Sequence, residues 1–357
     1  MIESVRSGTD LVPATMPAAV FDGDGRLALV ERPVPSVRHP DDVLIRVEAC
    51  GICGTDLHIL EVPPGHPATP GVVLGHEFVG IVHDAGPEAL GVERGGRVAV
   101  ASNLSCGSCR WCRRGLANHC ERFTTLGIFT DGGLARFAVA PARACHPIRR
   151  DIAPEVAALT EPLSCVINGV EQAAVVPGED VAVFGAGPVG LLFLALFRAA
   201  GAGRVIVVEP SDARRDVAKQ MGADVLVDPG AGDAVAAIRE ATDGDGASVA
   251  VDAVGSLFEP AVASARRAGR VLLFGMNANA SARVRPFDLT RNELTVVGTY
   301  VGRDVFPKAI RVLERGLFDA RPMITHHGPL SSLPAAVDAL REGRAVKAVI
   351  DLEAAVA

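Results

Sequence analysis

Short apolar runs, interrupted by glycine and proline, fill the first 150 positions of the chain. Val43–Val47, Gly80–His83 and Arg97–Val100 are typical of these runs, and each contains β-branched residues. Such residues pack well on a pleated surface, and glycine and proline mark the turns between strands. This pattern predicts a mostly β region over residues 17–150.

The pattern changes from residue 166 onward, where apolar runs alternate with amphipathic stretches. The predicted strands are Val181–Phe184, Val205–Val208, Val225–Val227, Ser248–Val251, Val271–Phe274 and Leu294–Gly298. The stretches between them, such as Asp212–Met221 and Ala234–Ala241, have the spacing of helices. Strand and helix in alternation predict an α/β domain with a parallel, doubly wound sheet. Beyond residue 304 we expect one further helix, Pro307–Arg315, and a mixed segment.

The length of 357 residues predicts two domains, since a single core seldom grows so large. The net charge is -7 with both signs spread along the chain, so we expect neither a nucleic-acid partner nor an anionic membrane surface. The least charged stretch, Val181–Phe197, contains three glycines and a proline. These residues favour a buried strand followed by a helix over a membrane span.

The first fifteen residues lack the apolar core of a signal peptide, because Arg6, Asp10 and Pro13 interrupt it. We therefore expect residues 1–15 to form a loose extension of a soluble, cytoplasmic protein.

A glycine-rich motif, Gly185-x-Gly187-x-x-Gly190, follows the first of the predicted parallel strands and opens a helix. In a dinucleotide site, the first glycine makes the tight turn, the second admits the pyrophosphate and the third allows close packing of helix and strand. The N-terminus of the helix offers free N–H groups to the phosphates. A glycine-rich turn in an α/β domain that binds nothing is the alternative.

Glu209 ends the next predicted strand, close to the spacing expected for an acid that binds the ribose hydroxyls. A carboxylate there accepts from a free 2′-hydroxyl and repels a 2′-phosphate, so NAD is favoured over NADP. Arg214 and Arg215 follow soon after and would weaken this preference. The predicted cofactor-binding residues are Gly185, Gly187, Pro188, Val189, Gly190, Glu209 and Arg214.

Eight cysteines are present, and four of them are tightly clustered at Cys106, Cys109, Cys112 and Cys120. A large cytosolic protein keeps its thiols reduced, so clustered cysteines indicate a metal rather than disulfides. Four thiolates within fifteen residues suit a closed, tetrahedral zinc site with a structural role. An iron–sulfur cluster also takes four thiolates, although nothing else in the chain indicates electron transfer.

A second set of potential ligands, Cys53, His76, Glu77 and Glu161, is dispersed along the chain. Each residue alone has an ordinary explanation, as a small apolar cysteine, a satisfied histidine or a solvated glutamate. Their spacing along the chain does not show that they lie together in the folded protein.

The motifs together resemble the medium-chain, zinc-dependent alcohol dehydrogenase family, on the branch of sorbitol, threonine and other polyol or sugar dehydrogenases. The resemblance extends over residues 17–352. The matching motifs, in the family's order, are Gly51-Ile-Cys53-Gly-Thr55-Asp56-Leu-His58, Gly75-His76-Glu77-x2-Gly80-x5-Gly86, the four-cysteine loop, Asp131-Gly132-Gly133, Glu161-Pro162-Leu163 and the Gly185 motif.

The resemblance implies that Cys53, His76 and Glu161 bind a catalytic zinc, with Glu77 as an alternating or outer ligand. It implies two zinc ions per chain, and a relay through Thr55 and His58 that carries the substrate proton to solvent. Cys165, four residues past Glu161, is predicted to pack in the core, as are Cys50 and Cys145.

The resemblance also implies a GroES-like, β-rich catalytic domain made of residues 1–165 and 305–357, and a Rossmann domain over residues 166–304. The expected assembly is a homodimer or homotetramer. The expected reaction moves a hydride reversibly from a secondary alcohol of a polyol, cyclitol or sugar to NAD+. Val301 and Gly302 stand where sorbitol-type enzymes carry an arginine and an aromatic residue, so sorbitol itself is in doubt.

Three alternatives stay open at this point. The first is an NADP-dependent reductase of small carbonyl compounds, and the second is a zinc-free quinone reductase of the same superfamily. The third is a binding or structural protein that has kept the fold without catalysis. The presence of Cys53, His76 and Thr55 together argues against the last two.

Overall fold

The computed structural model of the protein describes residues 12–354. Residues 1–11 of the predicted N-terminal extension lie outside the described part. The rest of that extension leads directly into the first strand, which begins at Thr15.

Seventeen strands and ten helices make up the described chain. The strands are β1 (Thr15–Phe21), β2 (Leu27–Pro33), β3 (Asp42–Ile52), β4 (Glu77–Ala85), β5 (Arg97–Val100), β6 (Asn103–Leu104), β7 (Thr124–Thr125), β8 (Phe137–Pro141), β9 (Cys145–Pro147), β10 (Val181–Phe184), β11 (Val205–Val208), β12 (Val225–Val227), β13 (Ala247–Asp252), β14 (Ala265–Leu273), β15 (Thr295–Gly298), β16 (Ile324–Pro329) and β17 (Lys347–Asp351). The helices are α1 (Gly54–Ile59), α2 (Pro154–Ala157), α3 (Thr160–Ala173), α4 (Pro188–Ala199), α5 (Asp212–Gln220), α6 (Ala234–Ala241), α7 (Phe258–Ser264), α8 (Pro286–Arg291), α9 (Phe306–Glu314) and α10 (Leu333–Arg341).

The largest sheet runs in the order β16-β17-β3-β4-β5-β9, and β8 also pairs with β3. The eleven-residue β3 is its centre, because its first half pairs with β8, its last residues pair with β17, and β4 lies along its length. The sheet therefore combines strands from the first 150 residues with two strands from the end of the described chain.

Six strands form a second sheet in the order β12-β11-β10-β13-β14-β15, and every neighbouring pair is parallel. The chain runs outward from β10 through β11 to β12 and then crosses back to β13, which pairs with the other edge of β10. This is the doubly wound arrangement that the alternating pattern predicts, and it confirms the predicted α/β class. Buried apolar residues cover both faces, as a parallel sheet with helices on either side requires.

Helix α3 joins the two sheets. It packs against α4 and α9 on one side and against β4 and β5 on the other. Ala49 and Val79 of the first sheet and Val183 and Leu191 of the second unit belong to the same buried cluster. The first residues of α3 are thereby fixed between the two sheets, where Glu161 lies.

None of the helices in the described residues is both long and apolar enough to cross a membrane.

Candidate metal and cofactor site

The four-cysteine loop folds so that its sulfurs face one another. Sγ of Cys109 lies 3.5 Å from Sγ of Cys112 and 4.0 Å from Sγ of Cys120, and Sγ of Cys106 lies 4.0 Å from Sγ of Cys112. Two single turns of 3₁₀ helix, Cys112–Arg114 and Ala117–His119, bend the chain between the third and fourth cysteines.

These distances fit a zinc ion. A tetrahedral site with Zn–S bonds of about 2.3 Å places its sulfurs about 3.8 Å apart. The N–H groups of Ser108 and Cys109 lower the pKa of Cys106 to about 5, which favours its thiolate form, whereas burial and the thiols of Cys109 and Cys120 raise the pKa of Cys112 to about 11. All eight cysteines of the chain are free thiols.

The dispersed residues Cys53, His76 and Glu77 come together at the ends of two neighbouring strands. Cys53 follows β3 directly and precedes α1, while His76 and Glu77 stand at the start of β4. Because β3 and β4 pair antiparallel, with Gly51 opposite Glu77, the end of one strand meets the start of the other. The ligand atoms of the three residues all lie within 4.8 Å of one another.

Asp56 supports two of these residues, a role that its place in the Gly51–His58 motif does not predict. Its Oδ2 accepts a hydrogen bond of 2.9 Å from the backbone N–H of Cys53. Its Oδ1 lies 3.5 Å from Nδ1 of His76, and neither atom has a hydrogen-bond partner among residues 12–354. An acid beside Nδ1 orients the imidazole ring and leaves Nε2 for a metal ion.

Glu77 is paired with Lys347, a second residue that sequence reasoning missed. Both side chains are 1% exposed, and the Lys347 ammonium also donates to the carbonyl oxygen of Ile52 over 2.8 Å. Burial lowers the pKa of Lys347, but the charges of Glu77, Cys53 and Asp56 and the hydrogen bond to Glu77 together outweigh burial, so the net pKa is raised. The only sign in the sequence is a lysine within the apolar run that follows Ala345.

Glu161 lies outside the 4.8 Å group formed by Cys53, His76 and Glu77. Its Oε1 accepts from Nδ2 of Asn103 over 3.1 Å and from Sγ of Cys165 over 3.5 Å. Burial raises the pKa of Glu161 to about 7; the charge of His76 opposes this shift and that of Glu77 adds to it. Glu161 is thus close enough to His76 and Glu77 for their charges to change the pKa of its carboxyl group.

Cys165 has a different environment from the predicted core position. It is half-buried, and its thiol contacts the Glu161 carboxylate. Cys50 and Cys145, by contrast, are buried in the core of the first sheet, as predicted.

Together these residues suit a zinc ion with an open position. A thiolate, an imidazole and carboxylates are the ligands that zinc takes in catalytic sites. The fourth side chain, Glu161, lies near Cys53, His76 and Glu77 but outside the 4.8 Å limit that the ligand atoms of those three residues meet.

Thr55 and His58, the predicted relay residues, both lie on α1, directly after Cys53. Thr55 is half-buried, and His58 is exposed with Nδ1 2.9 Å from Oε1 of Glu61. Along the helix, exposure therefore increases from the half-buried Thr55 to the exposed His58.

The glycine-rich motif forms the expected turn between β10 and α4. Gly185 has a φ of 101°, which only glycine adopts easily, and a Cβ at Gly190 would overlap the carbonyl oxygen of Gly185. Gly187 caps α4, followed by Pro188 and Val189 in the first turn. The free N–H groups of this helix lie at the carboxyl edge of the parallel sheet, where such folds bind dinucleotides.

Glu209 lies at the end of β11, next to this turn, and is buried. Its carboxylate accepts from the N–H of Ala186 over 2.7 Å and from the N–H of Ser211 over 3.0 Å. Arg215 donates to the carbonyl oxygen of Glu209 over 2.6 Å, whereas Nε of Arg214 is buried without a partner among residues 12–354.

A cavity of about 230 Å³ opens beside Glu161. Asn103, Asn118 and Phe123 line one part of it, and Gly302 and Asp304 line another. The segment Tyr300–Asp304 therefore reaches this cavity through Gly302 and Asp304.

Comparisons with known proteins agree with this geometry. Residues 39–150 match the family model of the alcohol dehydrogenase GroES-like domain. Residues 188–315 match the model of the zinc-binding dehydrogenases.

Named relatives cover nearly the whole chain. L-threonine 3-dehydrogenase of Pyrococcus abyssi is 37% identical over 333 residues, which are 91% of this chain and 95% of that protein. D-altritol 5-dehydrogenase of Agrobacterium fabrum is 34% identical over 323 residues, which are 89% of this chain and 94% of that protein. The crystal structure of a zinc-binding dehydrogenase of Sinorhizobium meliloti bound to NADP has a TM-score of 0.90 at 33% identity, covering 95% of this chain and 100% of that chain.

Proposed function

This chain belongs to the medium-chain, zinc-dependent alcohol dehydrogenase family, and we propose that it oxidises a secondary alcohol of a polyol, cyclitol or sugar to a ketone. The proposed acceptor is NAD+, and the reaction is reversible. The observation that carries the proposal is the meeting of Cys53, His76 and Glu77 beside Glu161 and the 230 Å³ cavity.

We assign two zinc ions to each chain. Cys106, Cys109, Cys112 and Cys120 hold the first, with no ligand position left for substrate. Cys53 and His76 hold the second, together with Glu161 or Glu77. When bound there, zinc supplies Lewis-acid polarisation that lowers the pKa of a hydroxyl group, and the nicotinamide accepts the hydride.

The residues of the chain have separate tasks in this reaction. Asp56 orients His76, and Lys347 holds the Glu77 carboxylate. The Thr55 hydroxyl takes the proton from the substrate hydroxyl, because a threonine can both accept and donate. His58, at the exposed end of α1, passes that proton to solvent.

Glu209 supports the choice of NAD. Its buried carboxylate stands at the end of β11, where a 2′-phosphate would meet a negative charge. Two observations favour the second candidate, an NADP-dependent reductase of small carbonyl compounds: the unpartnered Nε of Arg214 and the NADP bound to the Sinorhizobium meliloti structure.

One experiment tests the proposed function and its rival. The purified protein is analysed for zinc and assayed with NAD and NADP over L-threonine, D-altritol, D-arabinitol, cyclitols and simple secondary alcohols. We expect two zinc ions per chain and a higher kcat/KM with NAD on a polyol, cyclitol or sugar. Preference for NADP with a small carbonyl compound would favour the second candidate, and zinc-loaded protein that turns over no member of the panel would contradict both.

We also propose that the chain assembles into a homodimer or homotetramer. The outer strand of the parallel sheet, β15, leaves one backbone edge unpaired and is largely exposed, although its sequence is Thr-Val-Val-Gly. An apolar edge strand of this kind is a template for pairing with another strand.

A further inference from the structure

The segment Tyr300–Asp304, which follows β15, has an unfavourable backbone conformation. Val301 has a φ of 41° and Asp304 a φ of 53°, both in the left-handed region. This region disfavours residues other than glycine, most of all β-branched ones. Such conformations are energetically unfavourable and persist only where the surroundings enforce them.

Two buried asparagines hold this segment by its backbone. Nδ2 of Asn168 donates to the carbonyl oxygen of Val301 over 2.7 Å, and Nδ2 of Asn118 donates to the carbonyl oxygen of Tyr300 over 2.9 Å. The asparagines are 4% and 6% exposed. The two bonds bind the carbonyl groups of consecutive residues. They therefore oppose rotation of the Val301 backbone toward a negative φ.

The two asparagines come from the two metal-binding parts of the chain. Asn118 lies in the four-cysteine loop, two positions before Cys120, and the neighbouring His119 packs its ring against Tyr300 with centroids 6.0 Å apart. Asn168 lies on α3, about two helical turns after Glu161.

The held segment forms part of the cavity beside Glu161, through Gly302 and Asp304. We infer that Asn118 and Asn168 are positioning residues that hold Tyr300–Asp304 in the strained conformation in which the alcohol substrate binds. The four-cysteine loop then sets substrate affinity as well as local stability. This inference rests on the proposed function, since it takes the cavity beside Glu161 as the alcohol site.

The first test separates alcohol binding from the rest of catalysis. In zinc-loaded protein, Asn118→Ala and Asn168→Ala should each raise KM for the best alcohol of the panel about tenfold, the value of one lost buried hydrogen bond. The KM for NAD and the zinc content should stay unchanged, and kcat should change less than KM.

The matched control is Asn292→Ala. Nδ2 of Asn292 also donates to a backbone carbonyl oxygen, that of Asp288, over 2.9 Å. Asn292 lies at the end of α8, however, and its bond does not hold Tyr300–Asp304. This variant should keep the alcohol KM of the wild type. An unchanged alcohol KM in both Asn118→Ala and Asn168→Ala would overturn the inference.

A second substitution tests the strain itself. Glycine adopts a positive φ readily, so Val301→Gly should remove most of the penalty of the bound conformation. In the Asn168→Ala background it should therefore restore part of the lost alcohol affinity. If the asparagines had only a structural role, relief of strain at Val301 would change stability and leave the raised alcohol KM as it is. An alcohol KM in the double variant that stays as high as in Asn168→Ala, or rises further, would overturn the inference.

A third readout is independent of activity. The chain has one tryptophan and one tyrosine; Trp111 and Tyr300 both pack against His119. Light absorbed by Tyr300 should therefore reach Trp111 efficiently in the wild type. Asn118→Ala and Asn168→Ala should reduce this energy transfer, measured by comparing excitation of both residues with excitation of tryptophan alone.

The fluorescence separates the two possible failures. If the wild type turns over no alcohol, the proposed function fails, while reduced energy transfer in both variants still supports the positioning role. Energy transfer that is equal in the wild type and both variants would overturn that role, whatever the activity.

Discussion

Lys347 and Glu77 form the most deeply buried ion pair among the described residues, and the carboxylate adjoins the proposed zinc ligands. Removing one partner of a buried pair leaves a charge without compensation, which typically costs about 3–5 kcal/mol. Lys347→Met should therefore lower the free energy of unfolding by about that amount, measured by denaturant titration of zinc-saturated protein.

The control for this substitution is Lys308→Met. Lys308 pairs with Glu171 at the surface, where both side chains are about half exposed, so its loss should cost no more than about 1 kcal/mol. Equal losses of stability in the two variants would contradict a special role for the buried pair.

Thr55 is the residue on which the proposed proton transfer depends. Thr55→Ala should lower kcat by about 10²–10⁴-fold, the usual contribution of an acid–base group. Thr55→Ser keeps the hydroxyl and should retain much of the rate. His58→Gln should cost only about tenfold, because water can partly replace an exposed histidine.

Steady-state rates of the three variants, at equal zinc content and saturating NAD, provide the measurement. Wild-type turnover of Thr55→Ala would contradict the proposed role of Thr55 in proton transfer.

The candidate site was predictable where its residues are close in sequence. The spacing of Cys106, Cys109, Cys112 and Cys120 is sufficient to indicate a metal site. Cys53, His76 and Glu161 were joined only through the family resemblance, because spacing carries no information about pairing between β3 and β4. Lys347 was missed for the same reason: it lies 270 positions from Glu77.

At the scale of single elements, β15 carries the proposed subunit contact. Val296 lies on its exposed edge, and Phe287 and Met276 from the preceding segment are also exposed. A lysine on an edge strand prevents pairing with another strand. Val296→Lys should therefore dissociate the assembly, measured by light scattering during size-exclusion chromatography.

Val176→Lys is the control for this prediction. Val176 is also an exposed valine, but it lies in the turn before β10, so the assembly should persist. A wild-type chain that is already monomeric at assay concentrations would contradict the proposed contact.

The strands of the parallel sheet were predictable because they are buried on both faces and are therefore apolar throughout. The bounds predicted for β10, β11 and β12 are confirmed. The structure starts β14 at Ala265, six residues before the predicted start at Val271. That first part contains Arg266 and Arg267, and backbone pairing with β13 does not appear in a hydrophobic pattern.

At the scale of the whole molecule, the two proposed metal sites differ in whether they leave a ligand position open. Four cysteines would complete the first site, whereas Glu161, which lies near Cys53 and His76, lines a cavity. A chelator should therefore remove the second zinc first and abolish turnover while the fold is retained. Parallel measurement of zinc content, turnover and circular dichroism during chelation tests this order.

Loss of the fold before loss of turnover would contradict this assignment. So would a single zinc ion in fully active protein.

The pairing of β3 with β17 also determines when the protein can be completed during synthesis. At about 5–20 residues per second, Lys347 is added on the order of 15–50 s after Glu77. Until then, Glu77 lacks the lysine that accompanies it into the interior. The strand that pairs with the end of β3 therefore also supplies the cation of the buried ion pair.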